Sequence, residues 1–535
     1  MDGIATQGSN AIQSRWLETG RVVDILVGAL TLAFAATALW ICRAKWINFD
    51  PYFLDFAKTA RYYEHFIQGV PIENKFFNYG LLYSGYHLIV GPVYAALRSP
   101  VVIVLFHVAG FAVCIPLIYA IGKRHLGSAS PAAVFALGFA LNPVVDMMVI
   151  GFQRVEIWCG AALLATIWAF DRKNPQWALA AATVGGICRI DAIPAFVMLG
   201  VIYWVTKRHD DARRLIARSM LTFGVLIAAL GIMRIVLGGG ADADQLHLFV
   251  AQSDGPVLNR IARTVFEPDS YDHLRLLAHV AFLALFAPLW LLPALPSFGY
   301  MILTTQNLAA MEIVRTLLSP DNILVRQMHT HFVIVLPVVF VAAIMGVKRL
   351  TKFRVTEDGR VSGRRPRIES LALSAFFVAI HAAFSSGSMG AMPLTPGFRF
   401  SAYTDTPHAA VLRDVLSTLP RERFGVLQFS ISERAPHLPL SREFYKVEDV
   451  DARVQYAVFD LFALSANIPK ADLVRGIETT LHRDDFRVVR FEDGVVLCER
   501  GGRDGHSDAV LAFIDANREA ILSGGRRGAQ KPTPP

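Results

Sequence analysis

The sequence predicts an α-helical polytopic membrane protein that carries a small mixed α/β domain near its C-terminal end. Three observations predict it. Of 535 residues, 54% are hydrophobic and only 18% charged, and the mean hydropathy of +0.42 is too apolar for a soluble chain of this length. Apolar runs of roughly 15–22 residues recur as far as Phe384, the length a helix needs to cross a bilayer. From Ser385 onward, short β-patterned stretches alternate with amphipathic helical ones.

Residues 1–21 form an N-terminal segment in which Arg15 and Arg21 precede the first apolar run, Val22–Cys42, and favour a cytoplasmic N-terminus. That run is too long for a signal peptide, and Ala44-Lys45-Trp46 is a poor cleavage site. Later anchors are stronger. Lys123-Arg124-His125, Asp171-Arg172-Lys173, Lys207-Arg208 through Arg213-Arg214, and the basic stretch Lys348–Arg367 all lie between apolar runs. The positive-inside rule puts all four on the cytoplasmic side.

A definite path follows. Val101–Ile121 runs inward, Ala132–Ile150 outward and Ile157–Phe170 inward. The residues between Lys173 and Lys207 make a hairpin of two short helices with Arg189 and Asp191 at its outer tip. Leu215–Leu237 runs outward, Leu276–Leu292 returns, Pro296–Leu308 goes out, Phe332–Val347 comes back and Ser370–Phe384 exits. This gives about eleven spans within a transmembrane domain of residues 22–385, with the C-terminal domain outside. Leu81–Leu97 is placed as a re-entrant or surface segment, because a crossing there would invert every basic loop after it. It belongs to the first outer loop, residues 44–99.

The end domain, residues 386–500, is expected to hold strands at Gly425–Phe429, Tyr456–Asp460, Phe486–Phe491 and Val495–Cys498, with helices at Val411–Leu419 and Asp472–Leu481. Residues 501–535 are polar and read as a flexible tail. The five cysteines are scattered and give neither zinc spacing nor a disulfide framework. The net charge of +8 follows from basic membrane loops and calls for no nucleic-acid partner.

The stretch that organises the chain is Asn48–Gln68, directly after the first span. Asp50-Pro51 reads as a helix start, with Asp at the N-cap and Pro at the first helical position. Phe49, Phe53, Phe56, Ala60, Tyr63 and Ile67 recur at helical spacing, as in a short amphipathic helix lying on a bilayer. With the path above, polar residues embedded in apolar runs gather at one face: Asp50, Asp55, His87, Arg154, Glu156, Arg189, Asp191, Arg234, His329 and His331. Charged groups at span ends can simply snorkel, so their convergence argues more strongly than any one member.

Carboxylates at a membrane surface can deprotonate an acceptor hydroxyl or bind a divalent cation such as Mg or Mn. Arginines at the same depth suit a phosphate, which a guanidinium holds bidentately. A polyprenyl phosphate is a lipid whose charged head lies at that depth. His329 and His331 lack a third partner and are a weak metal signal.

These residues resemble a family. NFDPYFLD followed by NYGLLYSGYHLIVGPVYAALRSP is similar to the bacterial predicted membrane proteins grouped as domain of unknown function 2079. The matching features are Asp50 and Asp55 in an FD-x4-D pattern, then His87 and the step Gly91-Pro92-Val93-Tyr94. Gly151–Glu156 keeps the Phe and Glu of an acidic-Phe-His-Pro-Glu landmark but lacks its Asp and His. Arg189-Ile190-Asp191 keeps the basic residue and last acid of a Lys-Glu-Asp landmark, and His331-Phe332 with Pro337 matches a His-aromatic one. The resemblance runs from about Trp46 to Arg500.

That family is similar to the membrane-embedded type C glycosyltransferases. The resemblance implies sugar transfer from a polyprenyl-phosphate donor to a glycan, lipid or protein acceptor at the outer face of the bacterial inner membrane. An acid of the first outer loop is the catalytic residue there, which maps to Asp50, with Asp55 second and Glu156 in support. The donor and cavity residues are then His87, Arg154, Arg189, Asp191, Arg234, His329 and His331. A flippase for a polar lipid, or a non-catalytic membrane protein, would need no such transfer.

Overall fold

The computed structural model of the chain describes residues 3–49, 54–69, 85–150, 157–236, 280–297 (without 281), 332–351 and 404–523, apart from gaps at 433, 439, 445–446, 464–469 and 503–504, and a few isolated short pieces between 354 and 400. It is mostly helical, with a small sheet toward the C-terminus.

Helix α1 (Gly3–Ile47) contains the first span, and α2 (Leu54–Gln68) and α3 (Tyr86–Leu97) follow it. Then come α4 (Val101–Leu126), α5 (Ala129–Ala140), α6 (Pro143–Ile150), α7 (Ile157–Asp171), α8 (Pro175–Cys188), α9 (Ile193–Val205), α10 (His209–Val236) and α11 (Phe332–Leu350). Among the described residues, three helices are long and apolar enough to cross a membrane: Gly20–Ile47, Val101–Leu126 and Val333–Leu350.

Of the expected spans, about eleven, the described residues hold three helices of spanning length with shorter apolar helices between them. The physical reasons are local. The run Ala132–Ile150 divides at Leu141-Asn142 into α5 and α6. Pro143 cannot donate a backbone hydrogen bond there, and the Asn142 amide oxygen accepts instead from Val144 N at 2.9 Å. The described part of Leu276–Leu292 forms 3-10 segments at Leu283–Phe286 and Pro288–Ala294, with prolines interrupting an α-helix. Most of Pro296–Leu308 and Ser370–Phe384 lies outside the described residues. The described part of Leu81–Leu97 holds the 12-residue α3, which at 1.5 Å per residue is too short by itself to cross.

Small residues let the helices approach closely. A Cβ at Gly160 of α7 would collide with the Val333 carbonyl of α11, so glycine sets that contact. At one end of the bundle the basic anchors meet. Lys123 at the end of α4 bonds Asp24 of α1 at 2.6 Å, and His125 Nε2 lies 2.8 Å from Asp171 at the end of α7. Arg208, before α10, reaches the same Asp171 at 3.2 Å, and Lys348 of α11 lies 3.2 Å from His125 Nδ1. Four loops distant in sequence thus share one end.

The C-terminal region holds a five-stranded sheet, preceded by a minimal antiparallel pair, β1 (Arg354–Val355) and β2 (Val361–Ser362). The sheet strands are β3 (Gly425–Gln428), β4 (Ser441–Phe444), β5 (Tyr456–Asp460), β6 (Phe486–Glu492) and β7 (Val495–Arg500), in the order β4-β3-β5-β7-β6. β3 runs parallel to β4 and β5, whereas β7 is antiparallel to β5 and β6. The β6–β7 hairpin turns on Asp493 (φ 48°) and Gly494 (φ 80°), the left-handed pair a tight hairpin prefers. β5 is buried along its whole length because it is central, hence the unbroken run YAVFD.

Helices α12 (Pro407–Thr418), the single turn α13 (Phe429–Ser432) and α14 (Lys470–Leu481) connect the strands. The flexible tail expected from 501 is corrected in part. Residues 505–522 form α15 (Gly505–Ala516) and α16 (Arg518–Leu522), whose Val510, Ile514 and Ile521 are fully buried in the domain core.

Candidate functional site

The end of the bundle away from the basic anchors is built where α1 stops. Asn48 grips the α/β domain with both ends of its amide: Nδ2 donates to the Thr404 carbonyl at 2.8 Å, and Oδ1 accepts from Thr406 N at 3.0 Å. Arg413 of α12 donates to the Ile47 carbonyl at 2.9 Å, capping the orphan carbonyls of α1. Phe49 then adopts φ 55°, a left-handed conformation costly for an aromatic residue. Strain of this kind concentrates at functional sites. It turns the chain toward Asp50-Pro51, which lies outside the described residues.

Helix α2 is held on both sides. Phe56, Ala60 and Tyr63 are buried against the bundle. On its other side Arg61 donates to the Ser441 carbonyl of edge strand β4 and lies 4.0 Å from Glu443. Glu64 accepts from Arg98 at 3.0 Å. The expected helix on an open bilayer is thus corrected: Arg61, Glu64 and His65 of its polar face are buried, Arg61 against the α/β domain and Glu64 against Arg98. Burial, with the Arg61 charge adding, pushes the His65 imidazole down to about 4, so it is neutral at neutral pH.

From α2 the contacts lead inward. The Tyr63 hydroxyl lies 2.7 Å from His87 Nδ1 of α3. Burial pushes the Tyr63 phenol up, so it stays protonated and able to donate. Gly85, just before α3, donates to the Ile187 carbonyl at 2.8 Å, and a Cβ there would collide with that carbonyl. That contact brings the start of α3 to the break between α8 and α9. Arg189 sits in this break with extended backbone (φ −152°, ψ 123°), ahead of the short turn Ile190–Ala192.

Of the residues singled out from the sequence, His87 and Arg189 are therefore brought to one neighbourhood, beside the helix that follows Asp50. Asp55, Asp191 and Arg234 lie on described helical turns, but their side chains are outside the described residues. Asp50, Arg154, Glu156, His329 and His331 lie outside them altogether. Among the described residues no group of three or more His, Cys, Asp or Glu is arranged to hold a metal ion.

Sequence reasoning passed over three features. Tyr63 was read only as part of an apolar stripe. The side chain of Asp146 is buried in the bundle and neither carboxylate oxygen has a hydrogen-bond partner among the described residues. The third is basic: Arg413, Arg421, Arg434 and His437 of the α/β domain line a cleft of about 510 Å³ against Trp46 and Phe49 at the end of α1. Nothing in the local pattern marks these arginines, because only the fold carries them some 370 residues back to the first span.

No curated protein compared with the chain matches it. Residues 86–423, more than half of the chain, match the family described as Predicted membrane protein (DUF2079). The match takes in His87, Arg189 and α12, but neither Asp50 and Asp55 nor any strand of the five-stranded sheet. The helical bundle with its apolar spans agrees with that description, and the chain belongs to this predicted membrane protein family.

Proposed function

We propose that the protein is a membrane glycosyltransferase that moves a sugar from a polyprenyl-phosphate donor to an acceptor at the extracytoplasmic face of a bacterial inner membrane. The observation that carries this reading is the meeting of His87, the Arg189 break and the α/β domain around α2, at the end of the bundle opposite the basic loops. The positive-inside rule makes the basic end cytoplasmic. The strained turn at Phe49 would deliver Asp50 to the other end, where a lipid-linked donor presents its phosphate.

In this reading Asp50 is the base that takes the acceptor proton, or orients a divalent cation, with Asp55 and Glu156 in support. Arg154, Arg189 and Arg234 hold the donor phosphate. His87, fixed through Nδ1 by Tyr63, lines the cavity together with Asp191, His329 and His331. The α/β domain closes the site over the acceptor.

The test uses wild type and Asp50→Asn in lipid nanodiscs, incubated with a panel of polyprenyl-phosphate sugars and acceptors. Transfer or slow donor hydrolysis by wild type, lost by about 100-fold or more in Asp50→Asn, is the expected result for a general base. Arg189→Ala should weaken donor binding far more than Lys58→Ala; equal effects would remove the phosphate assignment. A second reading, transport of a polar lipid, draws on Asp146, because a buried ionisable group inside a bundle often marks a path across the membrane. Donor binding without turnover on any sugar would favour it.

A further inference from the structure

The cleft between the end of α1 and the α/β domain has a composition of its own. Among the described residues its lining contains three arginines and a histidine and neither Asp nor Glu, so guanidinium groups dominate its charge. The arginines are not equivalent. Arg413 is committed, donating to the Ile47 carbonyl and pairing with Asp405 at 2.7 Å. Arg434 is buried in the wall with its guanidinium 5.5 Å from the Phe49 ring centre. Arg421 is exposed at the rim, and His437 lies 3.3 Å from the Leu416 carbonyl. The remaining wall is apolar, from Trp46, Ile47, Leu416 and Leu419.

Position adds to composition. Trp46 and Ile47 end a helix of spanning length, so the cleft opens at the level where that span leaves the bilayer. Tryptophan is enriched at that level. A site with guanidinium groups on one side and apolar side chains on the other, at a membrane surface, matches a phosphate head with the first carbons of its lipid chain.

We propose that this cleft binds the phosphate head of a membrane lipid, with Arg421 and Arg434 as its cationic ligands and Trp46 and Leu419 against the chain. Its ligands are other residues than those assigned above to the sugar donor, and it requires no reaction. Lipid held here would fasten the α/β domain to the bilayer next to the Phe49 turn.

The test is full-length protein in nanodiscs of phosphatidylcholine containing a minority of phosphatidic acid, with retained lipid measured by native mass spectrometry. Wild type should retain phosphatidic acid selectively, and retention should weaken with salt. Arg421→Gln should lose about tenfold or more in affinity, the scale of one charge-assisted hydrogen bond. Arg434→Gln tests the buried ligand. Arg421 is exposed, so its variant keeps the test valid if Arg434→Gln misfolds. Arg453→Gln, an exposed arginine paired with Asp451 elsewhere on the domain, should retain lipid as wild type does.

Equal retention by wild type and Arg421→Gln, or no preference over phosphatidylcholine, would overturn the proposal. Inorganic phosphate bound more tightly than the lipid would also overturn it, since the apolar wall would then contribute nothing. Retention is read without turnover, so it succeeds or fails separately from glycosyl transfer by Asp50.

Discussion

Lys470 begins α14 with its ammonium group directed at the Ala463 carbonyl, in the interior of the α/β domain. Burial holds its pKa down at about 8, against a weaker pull upward from Asp460. Asp460 is itself saturated: Oδ1 accepts from Phe462 N at 2.9 Å and Ala463 N at 3.1 Å, and Oδ2 lies 2.7 Å from His408 Nε2. His408 Nδ1 reaches Asp493 at 2.8 Å, so one imidazole ties the first turn of α12 to the end of β5 and to the β6–β7 turn. A lysine whose folded pKa lies below its unfolded value near 10.4 binds its proton less well in the native state. The cost of burying it is present below about pH 8 and is relieved as pH rises toward the unfolded value. Calorimetry of the wild type should therefore show a component of stability that grows between pH 8 and pH 10, on the order of 1–2 kcal/mol. Lys470→Met should flatten that rise, and an unchanged slope would mean that the ammonium is solvated. None of this was legible in the sequence. Asp460 was read as the end of a strand and His408 not at all, since their partners lie 52 and 85 positions from His408.

Helix α2 shows what periodicity can and cannot reveal about an element. The stripe Phe56, Ala60 and Tyr63 was legible because burial against the bundle repeats at helical spacing. Burial of Arg61 and Glu64 on the polar face was not, because it depends on a strand 380 residues later and on Arg98, 34 residues on. Strands β3, β5, β6 and β7 were read close to their observed limits, since a central or hairpin strand writes its burial into its own residues. Strand β4, SREF, was missed: it is a short edge strand, part-exposed at its two middle residues, whose backbone is held partly by Arg61 from another element. The expected runs Val101–Ile121 and Phe332–Val347 fall in helices of spanning length, whereas Asn142 and Pro143 divide the run Ala132–Ile150. Average hydropathy registers a proline hardly at all. From the α2–β4 contact comes a prediction at the same scale. Arg61→Met removes the bond to Ser441 and the ion pair with Glu443, leaving a buried carboxylate without its cation. Hydrogen exchange at 441–444 should speed up by at least tenfold, for a loss on the order of 1–3 kcal/mol. Exchange along β6 and β7 should not change. Uniform acceleration across the sheet would indicate global destabilisation, and no change would show that α2 does not hold the edge.

For the molecule as a whole, the two ends of the bundle differ in the chemistry of their contacts. One end joins Lys123, His125, Asp171, Arg208 and Lys348 in a network that also reaches the start of the first span through Asp24. The other joins the last turn of that span to the α/β domain through Asn48 and Arg413. Since α1 runs from one network to the other and Gly20–Ile47 is long enough to cross, the two should lie on opposite sides of the bilayer. The proposed function requires the basic network to be cytoplasmic and the sheet extracytoplasmic, the arrangement that the positive-inside rule predicts. The native cysteines favour a clean test, because all five are buried. Gln176→Cys places a thiol on an exposed position in the first turn of α8, beside the basic network, and Asp472→Cys places one on the half-exposed first turn of α14. In intact cells with a permeabilised outer envelope, a membrane-impermeant maleimide should label Asp472→Cys and spare Gln176→Cys until the inner membrane is opened. Labelling of both from outside would mean that α1 does not separate the two networks. The reverse pattern, Gln176→Cys alone, would put the sheet in the cytoplasm and move any chemistry at Asp50, His87 and Arg189 to the face where nucleotide-linked rather than polyprenyl-linked donors are found.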